Sequence, residues 1–135
     1  MSKENQLSDL IQSARNARSY SQAKYSNFKV GAALETAEGE IITGCNIESS
    51  SYGLTICAER VALAKALSEG KLNFNRIAII GPDDDFCPPC GACRQLLYDY
   101  SSDLTIILTN GKDIKTIPLE DLLPHAFGET KLRLK

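Results

Sequence analysis

Three of the chain's five cysteines lie at intervals of three residues, a spacing typical of metal sites. Cys87, Cys90 and Cys93 all fall in the segment FCPPCGACRQL, residues 86–96. A C-x-x-C pair such as Cys90 and Cys93 can direct both sulfurs at one ion, because a single turn brings them together. A structural zinc, a catalytic zinc, an iron–sulfur cluster and a disulfide would each use these thiols differently.

Cys57 has the same local setting as Cys90, since each comes after an irregular loop at the predicted start of a helix. The positive end of the helix favours thiolate over thiol there. Three thiolates leave one tetrahedral position of a zinc ion open to water, as in catalytic sites, whereas four protein ligands mark a structural one. Glu59 follows Cys57 by two residues, where a carboxylate can take and return the proton of that water. The pattern predicts one catalytic zinc per chain on Cys57, Cys90 and Cys93.

Other uses of the cysteines fit less well. The bacterial iron–sulfur run continues to a fourth cysteine, but residues 94–97 are RQLL. A redox pair of Cys87 and Cys90 would give no role to Cys93 and none to Glu59. A structural zinc or simple burial remains the alternative. We expect Cys87 to be a loop thiol without a role or a competitor for zinc.

Two further residues are expected to be structural. Cys45 lies on a strand-like run, where a free cysteine usually behaves as a small buried hydrophobe. His125 is the chain's single histidine, and with three thiolates available zinc does not require it.

Length and composition indicate one globular domain spanning residues 1–135, with 43% hydrophobic residues. No stretch approaches the ~18 apolar residues of a membrane span, so we expect no membrane partner. The N-terminal residues MSKENQLSDL lack the layout of a signal peptide. We therefore expect a cytoplasmic protein, in which thiols stay reduced.

The charge balance argues against a polynucleotide substrate. Lysine and arginine number 15, aspartate and glutamate 17, and the net charge is −2. Nucleic-acid binders need a basic face to neutralise phosphates, and only a modest basic cluster, KLRLK, ends the chain. A small, nearly neutral substrate fits better.

Hydrophobic periodicity predicts helices alternating with strands. The helices are expected at 6–20, 56–70 and 91–100, and the strands at 28–36, 40–48, 76–81, 104–110 and 112–119. A mixed sheet with helices on its faces is the economical arrangement of this pattern.

The chain resembles the short, homotetrameric cytidine deaminases over nearly its whole length. Cys57-Ala58-Glu59 and Pro89-Cys90-Gly91-Ala92-Cys93 match the zinc deaminase signature H-x-E and P-C-x-x-C, with cysteine in place of histidine. The matching stretches are YSNFKVGAAL at 25–34, GCNIE at 44–48, SYGLTICAER at 51–60, PCGACRQ at 89–95 and LLPHAF at 122–127.

The resemblance implies an α/β fold, a single-domain three-layer α-β-α sandwich around a mixed, about five-stranded sheet. It implies zinc-dependent hydrolytic deamination of cytidine and 2′-deoxycytidine to uridine and 2′-deoxyuridine with release of ammonia, in pyrimidine salvage. The family's zinc ligands fall on Cys57, Cys90 and Cys93, and its proton-transfer glutamate on Glu59. Cys87 is not part of the family pattern.

The resemblance also implies how a pyrimidine nucleoside is held. The family's substrate contacts fall on Phe28, Asn46, Glu48 and Ala58, with Phe127 reaching a neighbouring subunit's site in a homotetramer. Asn46 and Glu48 suit ribose hydroxyls, and the phenylalanines offer apolar faces.

Arg60 is a candidate for balancing the charge of the site. Three thiolates around Zn²⁺ leave the site at −1, which makes it a poorer Lewis acid. The helix N-termini at Cys57 and Cys90 can withdraw electron density from the sulfurs. The Arg60 guanidinium could add hydrogen bonds to ligand thiolates, although it would otherwise be an ordinary solvated helix charge.

Two alternatives to a cytidine deaminase stay open. One is a non-enzymatic module with a four-cysteine zinc, and the other is a deaminase acting on another aminopyrimidine such as blasticidin. The GCNIE motif and the phenylalanine-bearing tail favour the plain nucleoside.

Overall fold

The computed structural model describes residues 3–82 and 85–129 and contains a five-stranded sheet flanked by helices. The helices are α1 (Lys3–Arg18), α2 (Ala58–Ser68), α3 (Gly91–Tyr100) and α4 (Leu119–Leu122), with a 3₁₀ turn at Tyr52–Leu54. The strands are β1 (Gly31–Thr36), β2 (Ile41–Cys45), β3 (Phe74–Ile80), β4 (Thr105–Thr109) and β5 (Ile114–Pro118). None of the helices in these ranges combines the length and the apolar character needed to cross a membrane.

The sheet is mixed, with the strand order β2-β1-β3-β4-β5. β1 pairs antiparallel with both β2 and β3, β3 pairs parallel with β4, and β5 returns antiparallel to β4. The parallel pair requires a crossover, and α3 supplies it.

Alternate residues of the central strands supply two separate cores, because successive side chains of a strand point to opposite faces. On β3, Ile77 and Ile79 pack in one core with residues of α2 and α3, while Ala78 and Ile80 pack in the other with residues of α1. The predicted three-layer α-β-α sandwich with a mixed five-stranded sheet is confirmed.

Gly44 lets α2 lie unusually close to β2. A Cβ atom at Gly44 would lie 2.5 Å from the carbonyl oxygen of Ala58 and 2.6 Å from the amide nitrogen of Ala62. Both contacts are to backbone, which cannot move aside as a side chain can. Because Ala58 follows Cys57 directly, this contact fixes the position of the helix end that carries Cys57.

The predicted elements are correct in type and differ at their ends. The first helix runs over residues 3–18 where 6–20 was expected, and the second over 58–68 where 56–70 was expected. The strand expected at 28–36 begins at Gly31, because the carbonyl of Phe28 and the amide of Val30 are hydrogen-bonded to the side chain of Asn46 and not to a neighbouring strand. The strand expected at 40–48 ends at Cys45, and residues 46–48 instead form irregular contacts beside the site described next.

Candidate active site

Three cysteines from two helix starts come together at one end of the sheet. Cys57 and Cys90 are the residues that precede α2 and α3, and both have extended backbones. Cys93 lies in the first turn of α3 and is buried. The three sulfurs lie within 4.8 Å of one another, and the Sγ atoms of Cys57 and Cys90 are 4.0 Å apart.

These distances fit a zinc ion. Tetrahedral coordination with Zn–S bonds of ~2.3 Å places the sulfurs about 3.8 Å apart. The separation between Cys57 and Cys90 is close to that value. Three soft thiolate donors in one cluster are also the ligand set that zinc prefers in proteins. The cluster therefore provides three ligands for one ion.

The three thiols interact strongly even before a cation is considered. A hydrogen bond from the Cys93 thiol lowers the pKa of Cys57, and the Arg60 guanidinium lowers it further. The same hydrogen bond, together with burial, raises the pKa of Cys93. Ionisation of Cys57 therefore disfavours ionisation of Cys93, and a bound cation would stabilise both sulfurs as thiolates.

Glu59 is a nearly buried carboxyl group beside this cluster. The residue is 4% exposed. Burial raises the pKa of Glu59 to about 6, and the negative charge of Cys57 adds to the effect. A carboxyl group with a pKa near neutrality can both accept and donate a proton at physiological pH.

Glu59 and two of the sulfurs line one cavity of about 250 Å³. This volume lies just below the ~300–1,000 Å³ typical of small-molecule sites, so the cavity suits a small ligand. A larger groove of about 380 Å³ lies between α1, β2 and α2, away from the cysteine cluster. The cavity at the cluster is lined by Ser26, Phe28, Val30, Asn46, Glu48, Thr55, Cys57, Ala58, Glu59, Cys87, Pro88 and Cys90.

Asn46 ties two chain segments together at the cavity wall. Its Oδ1 atom accepts hydrogen bonds from the amide of Val30, at 3.0 Å, and from the Ser21 hydroxyl. Its Nδ2 atom donates to the carbonyl of Phe28 at 2.8 Å. Since an amide nitrogen carries two hydrogens, one N–H of Asn46 is left over from the Phe28 bond. The main role of Asn46 is therefore to hold these chain segments together, and one of its N–H groups is available for a ligand.

Glu48 is held as a carboxylate at the same wall. It accepts hydrogen bonds from the amides of Tyr25 and Ser26, at 2.9 and 3.0 Å, and from the Ser26 hydroxyl. The hydroxyl bond and then the two backbone bonds lower the pKa of Glu48. A negatively charged acceptor therefore faces the cavity at neutral pH.

The apolar candidates divide into two groups. Phe28 and Ala58 both line the cavity, Phe28 with about half its surface exposed and Ala58 fully buried. Phe127 does not line the cavity of its own chain and is 54% exposed. Its carbonyl oxygen accepts a hydrogen bond of 2.8 Å from Gln95 Nε2 on α3.

Arg60 lies against the cluster on the first turn of α2. Its Nη2 atom is 3.9 Å from Cys57 Sγ and donates a 3.0 Å hydrogen bond to the carbonyl of Thr55. Its Nε atom is buried and has no hydrogen-bond partner in the described part of the chain. The guanidinium is anchored by the loop before α2 and directed at a ligand sulfur.

Cys87 is a wall of the cavity, a position that its sequence context did not reveal. Burial raises the pKa of Cys87 to about 11, so it is a neutral thiol. It packs on Gly81, where a Cβ atom would lie 2.6 Å from the Cys87 Cβ. Within the described ranges, the three-sulfur cluster does not include it. Cys45 is half-buried on β2, less enclosed than expected.

Four further lining residues were missed by the sequence reasoning: Ser26, Val30, Thr55 and Pro88. Each lies inside a stretch that the sequence analysis quoted, although none was named there as a site residue. The hydroxyl groups of Ser26 and Thr55 make hydrogen bonds, to Glu48 and to the amide of Ser49, that depend on how the loops fold.

Comparisons with known proteins agree with this geometry. A family model described as "Cytidine and deoxycytidylate deaminase zinc-binding region" matches residues 4–109. A cytidine deaminase of Halalkalibacterium halodurans is 47% identical over 120 residues, covering 87% of this chain and 91% of the relative. A blasticidin-S deaminase of Bacillus cereus is 39% identical over 107 residues, covering 73% and 76%.

A solved structure shows the same similarity in three dimensions. The crystal structure of cytidine deaminase from Burkholderia pseudomallei superposes with a TM-score of 0.86 at 44% identity, covering 94% of this chain and 100% of that one. The span of the family model, residues 4–109, contains the three cysteines of the cluster and strands β1 to β4. The chain belongs to the cytidine and deoxycytidylate deaminase family with its zinc-binding region.

Proposed function

We propose that the protein is a zinc-dependent cytidine deaminase. It would convert cytidine and 2′-deoxycytidine to uridine and 2′-deoxyuridine, with release of ammonia, in pyrimidine salvage. The observation that carries the proposal is a buried carboxyl group of near-neutral pKa, Glu59, in one small cavity with the Cys57 and Cys90 sulfurs.

Cys57, Cys90 and Cys93 would hold one zinc ion per chain. Three protein ligands leave a coordination position for water, and zinc, when bound, lowers the pKa of such a water to ~7. Arg60 donates toward the Cys57 sulfur and so offsets part of the negative charge of three thiolates.

Glu59 moves the protons. It takes one proton from the attacking water and delivers it to N3 of the pyrimidine ring while the water oxygen adds to C4. It then carries the second proton to the exocyclic amine, the C4–N bond breaks, and ammonia leaves. Burial keeps the Glu59 pKa close to neutrality, so both transfers are accessible at pH 7.

The cavity walls would orient the nucleoside. The Glu48 carboxylate and the remaining N–H of Asn46 are suited to ribose hydroxyls. Phe28 offers an apolar face, and Ala58 limits the space next to Glu59. A small-molecule nucleoside, not a nucleic acid, is the partner of this site.

The active assembly would be a cytoplasmic homotetramer in which Phe127 completes a neighbouring subunit's site. Two observations support this arrangement: Phe127 is half exposed, and it does not line its own chain's cavity. An aromatic side chain in that position is available to another copy.

An ultraviolet assay across cytidine, deoxycytidine, cytosine and blasticidin S tests the function. We expect turnover of both nucleosides, little turnover of free cytosine, because Glu48 and Asn46 would have no sugar to hold, and none of blasticidin S. A purified, zinc-loaded protein that deaminates neither nucleoside would contradict the proposal.

A blasticidin-type substrate is the second candidate, favoured by the similarity to the Bacillus cereus enzyme. Both reactions are hydrolytic deaminations at a cytosine ring and need the same cluster and glutamate. The assay separates them, since preference for blasticidin S over cytidine would assign the chain to the second substrate.

A further inference from the structure

The end of the described chain is attached to the helix that carries two of the ligand cysteines. After α4, residues 123–128 form no helix or strand. Arg94 Nη1 donates a 2.9 Å hydrogen bond to the carbonyl of Leu122, and Gln95 Nε2 donates a 2.8 Å bond to the carbonyl of Phe127. These two side chains hold both ends of the segment that contains Phe127.

Arg94 also holds the loop that leads into the cysteine cluster. Its Nε atom donates a 2.7 Å hydrogen bond to the carbonyl of Pro89, the residue before Cys90. One half-buried guanidinium therefore bridges the ligand loop and the C-terminal segment. Lysine could not replace it, because one flexible ammonium group lacks the rigid fork that directs separate donors at separate acceptors.

A close contact further along α3 reinforces the same arrangement. A Cβ atom at Gly128 would lie 3.2 Å from Cε1 of Tyr98, so the chain just after Phe127 runs directly against the tyrosine ring. Tyr98 lies one helical turn after Arg94 and Gln95, on the side of α3 that the segment covers. Contacts at three positions of α3 thus define the path of residues 122–128.

We propose that Arg94 and Gln95 are positioning residues that lock the Phe127 segment to the ligand loop. This rests on the proposed deaminase function, in which Phe127 contributes to a nucleoside site. Gln95 acts on the segment alone, whereas Arg94 acts on the segment and on Cys90 through the Pro89 carbonyl. The two residues therefore make separable predictions.

The test uses the zinc-loaded, full-length protein and its variants Gln95→Ala and Arg94→Lys. Hydrogen exchange of the peptide covering residues 119–129 should be faster in both variants. Zinc release to EDTA should be faster in Arg94→Lys and unchanged in Gln95→Ala. The KM for cytidine should rise about twofold to tenfold in Gln95→Ala, with kcat unchanged. This range corresponds to the loss of one neutral hydrogen bond.

Asp99→Ala is the matched control. Gln95 Nε2 also donates to Asp99 Oδ1 at 3.0 Å, so this variant removes the second partner of Gln95 and leaves the bond to Phe127. It should match the wild type in exchange, zinc release and KM. In a Phe127→Ala background, Gln95→Ala should raise KM no further, because the two changes act through one contact.

Wild-type exchange in the 119–129 peptide of Gln95→Ala would overturn the proposal, as would additive KM effects of Gln95→Ala and Phe127→Ala. Exchange and zinc release do not depend on the substrate. If the wild type fails to deaminate cytidine, the proposed function falls, while these two measurements still decide whether the lock exists.

Discussion

At the scale of single residues, Glu59 and Arg60 are neighbours on the first turn of α2 and contact different parts of the candidate site. Glu59 is buried and directed into the cavity, while Arg60 is held by the Thr55 carbonyl and directed at the Cys57 sulfur. Adjacent residues of a helix point about 100° apart, so one side chain can serve the substrate and the next the metal ligands. This division makes the two residues separable by mutation.

We expect Glu59→Gln to keep zinc and lose ~10²–10⁴-fold in turnover, since the change removes proton transfer and little else. Zinc content by metal analysis and kcat by the ultraviolet assay measure the two effects. A loss of less than tenfold with zinc retained would show that Glu59 is not the proton-transfer group.

Arg60→Ala should lower zinc affinity or turnover by ~10–100-fold, the usual cost of losing a partner that orients a metal ligand. Arg60→Lys should recover only part, because an ammonium group cannot bond the Thr55 carbonyl and the Cys57 sulfur with the same fork. Zinc retention against a chelator and kcat provide the measurements. If Arg60→Ala retains zinc and turns over substrate like the wild type, the helix N-termini alone withdraw enough electron density from the sulfurs.

At the scale of secondary-structure elements, the cluster depends on how two helix starts are placed at one end of the sheet. α2 is seated on β2 at Gly44, where backbone meets backbone. α3 follows β3 through a connection that contains three prolines and then joins the core of α2 through Leu97. The sulfurs come from the residues at these two ends, so the site is only as well ordered as the packing of α2 and α3.

The element arrangement predicts which thiols matter for the metal. Alanine at Cys57, Cys90 or Cys93 should abolish the zinc content of one ion per chain, because two thiolates cannot complete the site. Cys87→Ala and Cys45→Ala are the matched controls, since neither sulfur belongs to the cluster. Metal analysis of the five variants decides the assignment, and zinc loss in Cys87→Ala would show that the ligand set is wrong.

At the scale of the whole molecule, one chain supplies all three cysteines of the cluster but leaves the aromatic side chain of Phe127 outside its own cavity. Phe127 is exposed, as are Tyr52, Leu54 and Ile56 in the loop before α2. Tyr52, Leu54 and Ile56 lie close together in sequence, and exposed apolar side chains that form a contiguous patch mark interaction surfaces. The proposed homotetramer would cover such groups.

We expect mixed tetramers of Glu59→Gln and Phe127→Ala subunits to contain sites with wild-type KM. In such hybrids an intact Glu59 in one subunit meets an intact Phe127 from its neighbour, so activity is restored across the interface. Co-expression, separation of hybrids by affinity tags and steady-state kinetics provide the measurement. If every active site in the hybrids has a raised KM, or if light scattering shows an active monomer, Phe127 does not contribute to a neighbouring subunit's site.

The sequence by itself determined the chemistry and the fold class. The local pairs Cys57/Glu59 and Cys90/Cys93 are informative because each lies at a helix start, where residue order alone specifies the geometry. Alternating and continuous apolar runs likewise predicted the strand and helix types, since burial follows periodicity. The ends of elements were less predictable: β1 starts late because Phe28 and Val30 are hydrogen-bonded to the side chain of Asn46, which is distant in sequence.

Only the tertiary structure decided which distant residues meet. Asn46 suggests a ligand contact in the sequence, yet most of its hydrogen bonds join Phe28 and Val30. Cys87 looked like a spare loop thiol and is a cavity wall because Gly81 lets it approach. Arg94 bridges Pro89 and Leu122, which lie 33 residues apart in sequence. Such contacts depend on strand order and helix seating, which are set by the packing of the whole chain and not by any local pattern.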